Sequence, residues 1–210
     1  MELILRQAKV LAIGAHPDDV EFGCFGALSL ASEPSIVILS RGEKGGDPKR
    51  RVSEAHESAE LLGAELRVLE NPDTRLSVPR LIISLEQVIA EVAPSVVLTM
   101  SDNDLHQDHK AVAAASAVAL RAFAGPVLAY GTPSSIDRFR PNVILSLATS
   151  DMKIKLEAIR LHESQQTRQY MQAPYVESIA KYWAAMTRTG SNYGEPFELV
   201  KWYSASRESF

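Results

Sequence analysis

Ala15-His16-Pro17-Asp18-Asp19-Val20-Glu21 gathers an imidazole and three carboxylates directly after an apolar run. Pro17 biases His16 toward extended backbone, so His16 ends a strand rather than starting a helix. Two adjacent acids come next, and consecutive side chains in extended or turn backbone point in different directions. One acid can therefore face a metal shared with His16 while the other faces whatever that metal activates. The plainer reading is a helix cap. Asp18 with Glu21 three residues on forms a capping box, and acids at a helix amino terminus gain roughly 0.3–1 kcal/mol from the macrodipole. A cap uses one acid and the glutamate; it needs neither His16 nor the second acid. On this stretch alone both readings stand.

His106-Gln107-Asp108-His109 is a second cluster, reached through the polar turn Ser101-Asp102-Asn103-Asp104. Two histidines three apart at a helix entrance lie near each other, with Asp108 available to orient one ring, as outer carboxylates do in metal sites. The alternative is that Asp108 caps the helix and both histidines are solvated. The two clusters together weigh more than either alone, because three of the five histidines then stand at strand exits. A catalytic zinc takes three protein ligands and leaves one position for water. His16, Asp19 and one of the two later histidines supply such a set, which leaves Asp18 free as a base and the other histidine to face a substrate.

These clusters need a scaffold that brings distant strand ends together. Val10–Ala15, Ser35–Leu39, Leu66–Leu69, Ser95–Met100, Val127–Tyr130 and Val143–Leu147 read as buried strands. Between them, Val20–Ala31, Lys49–Leu62, Val78–Val92 and Lys110–Phe123 have helical patterning. Such alternation predicts an α/β fold, a Rossmann-like, mainly parallel sheet with helices on both faces. Its ligand crevice lies outside the carboxyl ends of the strands. After about residue 150 come a charged helix, Asp151–His162, a Gln-rich turn, a helix around Tyr175–Met186 and a final strand around Phe197–Trp202. No repeat or linker divides the chain, and Gly23 and Gly26 suit close helix–sheet packing.

The chain has 210 residues, 46% of them hydrophobic and 23% charged, which suits a single domain with one core. The 22 Lys and Arg against 26 Asp and Glu give a charge of -4, which argues against a nucleic-acid partner. With Cys24 as its one cysteine, the chain forms no internal disulfide and no four-thiolate metal site. No apolar run approaches the roughly 18 residues of a membrane span. Met1–Lys9, with Glu2, does not read as a secretory signal, so a reduced cytoplasmic location is expected.

Further segments extend the pattern: Ser40-Arg41-Gly42-Glu43, Arg51-x-x-Glu54 leading to Leu62-Gly63, Lys155-x-x-Ala158 running on through His162-Glu163-Ser164-Gln165, and Tyr193-Gly194-Glu195-Pro196-Phe197. With the two clusters, they resemble the PIG-L/LmbE-like N-acetylglucosaminyl deacetylases, which include the mycothiol- and bacillithiol-pathway deacetylases. The resemblance covers most of the chain and implies a single LmbE-like domain over 1–210. By position it implies that His16, Asp19 and His109 bind one zinc per chain and that Asp18 is the general base. It further implies that His106 stabilises the oxyanion with Asp108 tuning it, and that Arg51 contacts the substrate. The implied substrate is a small N-acetylated amino-sugar conjugate, and the implied assembly is a homo-oligomer. Leu105 and Gln107 stand where many members have Gly and Pro, which leaves the ligands intact and alters the loop.

Hydrolysis of an amide needs an activated water, charge stabilisation on the carbonyl oxygen and a proton for the leaving nitrogen, and these residues match those needs. Two other functions are weighed. A metal-free Rossmann-like nucleotide-binding protein lacks support because the first glycine of G-x-G-x-x-G is missing. A single-metal hydrolase of another bond, such as a phosphoester, shares the ligands, though phosphoester sites usually gather carboxylates for two metals. Before the resemblance is considered, Arg51 reads equally as an intrahelical partner of Glu54. His162 reads either as reaching the site or as a polar helix end, and His56 as solvated.

Overall fold

The computed structural model describes residues 1–135 and 138–203. Its strands are β1 (Lys9–Gly14), β2 (Glu33–Ser40), β3 (Glu65–Asn71), β4 (Val96–Met100), β5 (Val127–Tyr130), β6 (Val143–Leu147) and β7 (Tyr193–Lys201). They form one sheet in the order β3-β2-β1-β4-β5-β7-β6. Pairing is parallel from β3 through β5, and β7 alone runs antiparallel, between β5 and β6. Every residue from Val10 to Gly14 and from Val96 to Met100 is buried. Alternate strand residues face opposite sides of a sheet, so unbroken burial means that the central strands are covered on both faces. That is why they read as continuous apolar runs.

The helices are α1 (Glu2–Leu5), α2 (Asp19–Gly23), α3 (Phe25–Leu28), α4 (Pro48–Glu60), α5 (Val78–Val92), α6 (Gln107–Ala119), α7 (Thr149–Leu161) and α8 (Ala173–Thr187). α5 packs on α6, while α7 gathers α3, α4 and α8. Between α7 and α8 the Gln-rich stretch folds into two 3₁₀ turns, Glu163–Gln165 and Gln169–Met171.

Two helices depart from expectation in ways that shape the site. The single helix expected over Val20–Ala31 breaks at Cys24, whose φ of -145° is not helical. The break lies where the chain presses on the sheet: a Cβ added to Gly23 would meet the Tyr130 ring at 2.0 Å, and one added to Gly26 would meet Leu147 at 2.4 Å. The helix expected from Lys110 starts at Gln107, which places Asp108 and His109 in its first turn with His106 as the cap.

From β1 the chain builds outward through β2 and β3, then returns to lay β4 on the other side of β1. The loops after β1 and β4 therefore leave neighbouring strand ends in diverging directions, and a crevice opens between them at this switch point. The first histidine cluster follows β1 and the second follows β4.

Gly23→Ala tests the close approach. Tyr130 is fully buried and its hydroxyl donates to the Ile13 carbonyl at 2.7 Å, so the ring has little room to retreat. Urea denaturation should report a loss of about 1–3 kcal/mol. A change below about 0.5 kcal/mol would show that the ring yields freely.

Candidate active site

β1 ends at Gly14, and the chain then folds back so that Asp19 Oδ2 accepts the backbone N–H groups of Ala15 (3.1 Å) and His16 (2.7 Å). This turn sets His16 Nδ1 3.4 Å from Asp19 Oδ2. From α6, His109 brings Nε2 to 3.3 Å from Asp19 Oδ1. His16, Asp19 and His109 each offer a ligand atom within 4.8 Å of the others, and all three are buried.

The far nitrogens of the two rings are also engaged. His16 Nε2 lies 3.1 Å from both Asp73 Oδ1 and Asp108 Oδ2, and His109 Nδ1 lies 3.1 Å from Asp104 Oδ2. Each imidazole thus turns one nitrogen to Asp19 and the other to an outer carboxylate, the arrangement that fixes ring orientation in metal-binding histidines. His16, His106 and Asp108 form a second group close enough to share an ion. That grouping is the poorer fit, because Asp108 already accepts the Thr74 N–H at 2.7 Å and holds His16 Nε2.

Charge points the same way. Asp18, Asp19, Asp73, Asp104 and Asp108 are all at least 93% buried, with exposures of 7%, 7%, 4%, 1% and 1%. Buried carboxylates at such density require compensating positive charge. Burial works against a charged His16, yet its hydrogen bonds to Asp108, Asp19 and Asp73 win and raise its pKa well above the ordinary value. The same contest, won mainly by Asp19 and Asp104, lifts His109 to about 9. Asp73 and Asp104 are held far below the carboxylate range despite their burial, chiefly by hydrogen bonds to His16 and His109 respectively. Two imidazoles with one carboxylate, set among buried acids, are a donor set that suits zinc.

Asp18 stands beside this group and outside it. Burial, with the charge of Asp19, raises its pKa against the pull of Arg51. Burial opposes ionisation of Asp19 as well, but His109 and His16 carry its pKa well below normal. Two adjacent acids are thereby pushed in opposite directions. The capping box does not form: Asp18 makes no cap hydrogen bond, and Glu21 instead accepts from Ser58. Asp18 has φ 116° and Thr74 φ 66°, left-handed conformations that cost of order 1–3 kcal/mol in a non-glycine residue and cluster at functional sites.

Arg51 is 3% exposed and donates to Gly42 O (2.7 Å), Pro17 O (2.6 Å) and Asp18 Oδ2 (3.2 Å). Gly42 and Gly45 wrap the guanidinium so tightly that a Cβ at either would come within 2.4 Å of it. The intrahelical pair with Glu54 is absent; Glu54 accepts from Arg50 and Ser164. Arg51 borders the cleft, but its donors already hold Asp18 and the loop. Arg168, also at the cleft, is more open than Arg51, with its side chain 36% exposed, 3.8 Å from Asp18 and bonded to Tyr170.

His106 caps α6, and its Nδ1 accepts the Asp108 backbone N–H at 3.2 Å. The Asp108 carboxylate hydrogen-bonds His16, its backbone N–H serves His106, and its charge acts on His106 by favouring the protonated ring. Burial and the neighbouring His109 and His16 lower the His106 pKa. With Nδ1 occupied as an acceptor, the neutral ring carries its proton on Nε2 and can donate without being charged. The cleft has a volume of about 420 Å³.

Sequence patterning missed Asp73, Asp104 and Arg168. Asp73 follows β3, a third strand exit, and Asp104 lies in a turn whose acids looked like ordinary solvated polarity. His162 neither reaches the cleft nor meets solvent. It is fully buried at the end of α7, with Nε2 3.1 Å from Glu21. His56 is exposed, as expected.

Two outcomes follow from these contacts. Asp104→Asn weakens the hold on His109, so zinc affinity by chelator competition should fall roughly 10–100-fold, while Asp102→Asn leaves it unchanged; equal affinities would remove Asp104 from the site. Burial disfavours charged His162, but Glu21 overrides it and raises the pKa above 6.5. The stabilisation this pair supplies is complete below the unfolded value near 6.5 and fades as pH rises through the folded pKa. The melting-temperature gap between the native protein and His162→Gln should therefore be widest near pH 6 and shrink toward pH 9; a constant gap would contradict it.

Comparison with known proteins agrees with this geometry. The family model described as PIG-L, GlcNAc-PI de-N-acetylase, matches residues 11–120, which is 110 of 210 positions and contains both histidine clusters. An uncharacterised deacetylase, YaiS, of Escherichia coli K12 is 38% identical over 172 residues, covering 76% of this chain and 92% of its own length. The diacetylchitobiose deacetylase of Thermococcus kodakarensis is 30% identical over 91% of this chain and 83% of its own length. Among solved structures, the 4-carboxy-2-hydroxymuconate hydratase of Pseudomonas putida KT2440 superposes with a TM-score of 0.81 at 22% identity, over 96% of this chain and all of that one. That likeness is one of fold alone. The matched span and these identities show that the chain belongs to the PIG-L, or GlcNAc-PI de-N-acetylase, family.

Proposed function

We propose that this protein is a zinc-dependent N-deacetylase that hydrolyses the acetamide of an N-acetylated amino-sugar conjugate, of the N-acetylglucosamine type, to acetate and a free amine. The observation that carries the reading is the trio of His16, Asp19 and His109, ligand atoms within 4.8 Å of one another, with Asp18 next in sequence and outside the set. A family of deacetylases and the two curated relatives support the amide bond over other targets. The name of the relative from Thermococcus kodakarensis supports an acetylated amino sugar as the substrate class.

His16, Asp19 and His109 would hold a divalent cation, which when bound would lower the pKa of a coordinated water to about 7 and polarise the substrate carbonyl. Asp18, held by Arg51, accepts a proton from the attacking water. Its raised pKa lets it keep that proton and pass it to the departing nitrogen. His106 Nε2–H donates to the oxygen on which negative charge develops. Asp73, Asp108 and Asp104 keep the two ligand rings in place. Arg168 and Tyr170 stand at the cleft to meet sugar hydroxyls.

Acetate release from N-acetylglucosamine conjugates tests the proposal, with chelated protein as the control. Asp18→Asn should keep its zinc and lose about 10²–10⁴ in turnover. A variant that retained near-full rate would take the base away from Asp18. Acetate release that survives chelation would remove the metal from the reaction.

A further inference from the structure

Beside the cleft lies a second cavity, of about 250 Å³, that the reaction does not use. Phe22 is a wall of both. Thr132 lines the second cavity, and the next residues, Pro133 and Ser134, line the cleft. The remaining surround includes Leu147 at the end of β6 and Ile179 and Trp183 on α8.

The buried polar side chains bordering this space, Lys155, Glu195 and Thr132, are already paired. Lys155 Nζ donates to Phe22 O at 2.6 Å and pairs with Glu195, both side chains being at least 94% buried. Glu195 also accepts from Gly26 N (3.2 Å) and Ala27 N (2.6 Å). Thr132 Oγ1 donates to Asp104 Oδ2 at 2.7 Å. A hydroxyl or a charge entering here would meet few open partners, whereas an apolar group keeps every bond intact. An apolar space of about 150 Å³ takes up benzene, so this one has room for a ring or a short chain.

Thr132 joins the two spaces chemically as well. It is bonded to Asp104, and Asp104 orients His109. A group filling the cavity therefore lies against residues that wall the cleft and orient His109. We propose that this cavity is an aglycone subsite, and that the natural substrate carries an aryl or short alkyl group on its amino sugar. The inference rests on the deacetylase reading for the sugar and on the cavity alone for the apolar group.

The test compares benzyl with methyl glycosides in two series. In the first, benzyl and methyl β-D-glucoside, which have no acetamide, are titrated calorimetrically into the intact protein. In the second, the corresponding N-acetyl-β-glucosaminides are assayed for acetate. Benzyl should be preferred at least about tenfold in affinity and in kcat/KM, and Ile179→Trp, which fills the cavity, should bring the ratio within about twofold. Ala180→Leu, a smaller intrusion from the same helix, should lower the ratio as well if the tryptophan variant fails to fold. Equal handling of benzyl and methyl by the native protein would overturn the proposal, as would an unchanged ratio in folded variants. A benzyl preference in binding without acetate from either sugar would uphold the subsite and reject deacetylation.

Discussion

Five carboxylates buried around two imidazoles make a cluster that is stable only with added positive charge. That electrostatic demand organises the rest of the molecule. Asp19 faces both rings at once, Asp73 and Asp108 hold one from behind, and Asp104 holds the other. Each of these acids would be costly if buried without a cationic or hydrogen-bonded partner. Contacts among these groups fix their geometry, and the raised pKa values of the two imidazoles show how strongly the acids favour positive charge between them.

The fold supplies this cluster at little local expense, because a parallel sheet gathers strand ends at one edge. β1 delivers His16 and Asp19, β3 delivers Asp73, and β4 delivers Asp104, His106 and His109 through the start of α6. Of the four left-handed non-glycine residues among the described residues, two, Asp18 and Thr74, stand at the cleft. Asp18 and Asp19 show how neighbouring residues of one type take separate tasks. Burial dominates at the first and keeps it basic, while the imidazoles dominate at the second and keep it ionised. Acids with environments that pull their pKa values apart are what an acid–base site requires. The hydratase that shares this fold is a reminder that the scaffold sets where chemistry happens, and the side chains set which chemistry.

Much of this was legible in the sequence, for identifiable reasons. The central strands were visible because burial on both faces leaves no polar alternation, and the strands at Val127–Tyr130 and Val143–Leu147 matched to the residue. The strand expected to be buried over Leu66–Leu69 instead lies at the sheet edge and is only half-buried. His16, Asp19 and one of the two later histidines could be grouped because both clusters follow strand ends, and the family resemblance then pointed to His109. What could not be read depends on tertiary closure. Nothing local to Asp73 signals that it will meet His16, 57 positions away. The break at Cys24 depends on Tyr130, more than a hundred residues later. Asp108 stands two positions from His106, yet its carboxylate hydrogen-bonds His16, 92 positions away, which no local pattern signals. The buried Lys155–Glu195 pair likewise joins residues that no local pattern connects.

X-ray absorption at the zinc edge of the purified protein examines the centre of the account directly. One zinc per chain should show two imidazole nitrogens and a carboxylate oxygen at about 2.0–2.2 Å, with one imidazole lost in His109→Ala. Substoichiometric zinc, or a spectrum without imidazole scattering, would contradict it.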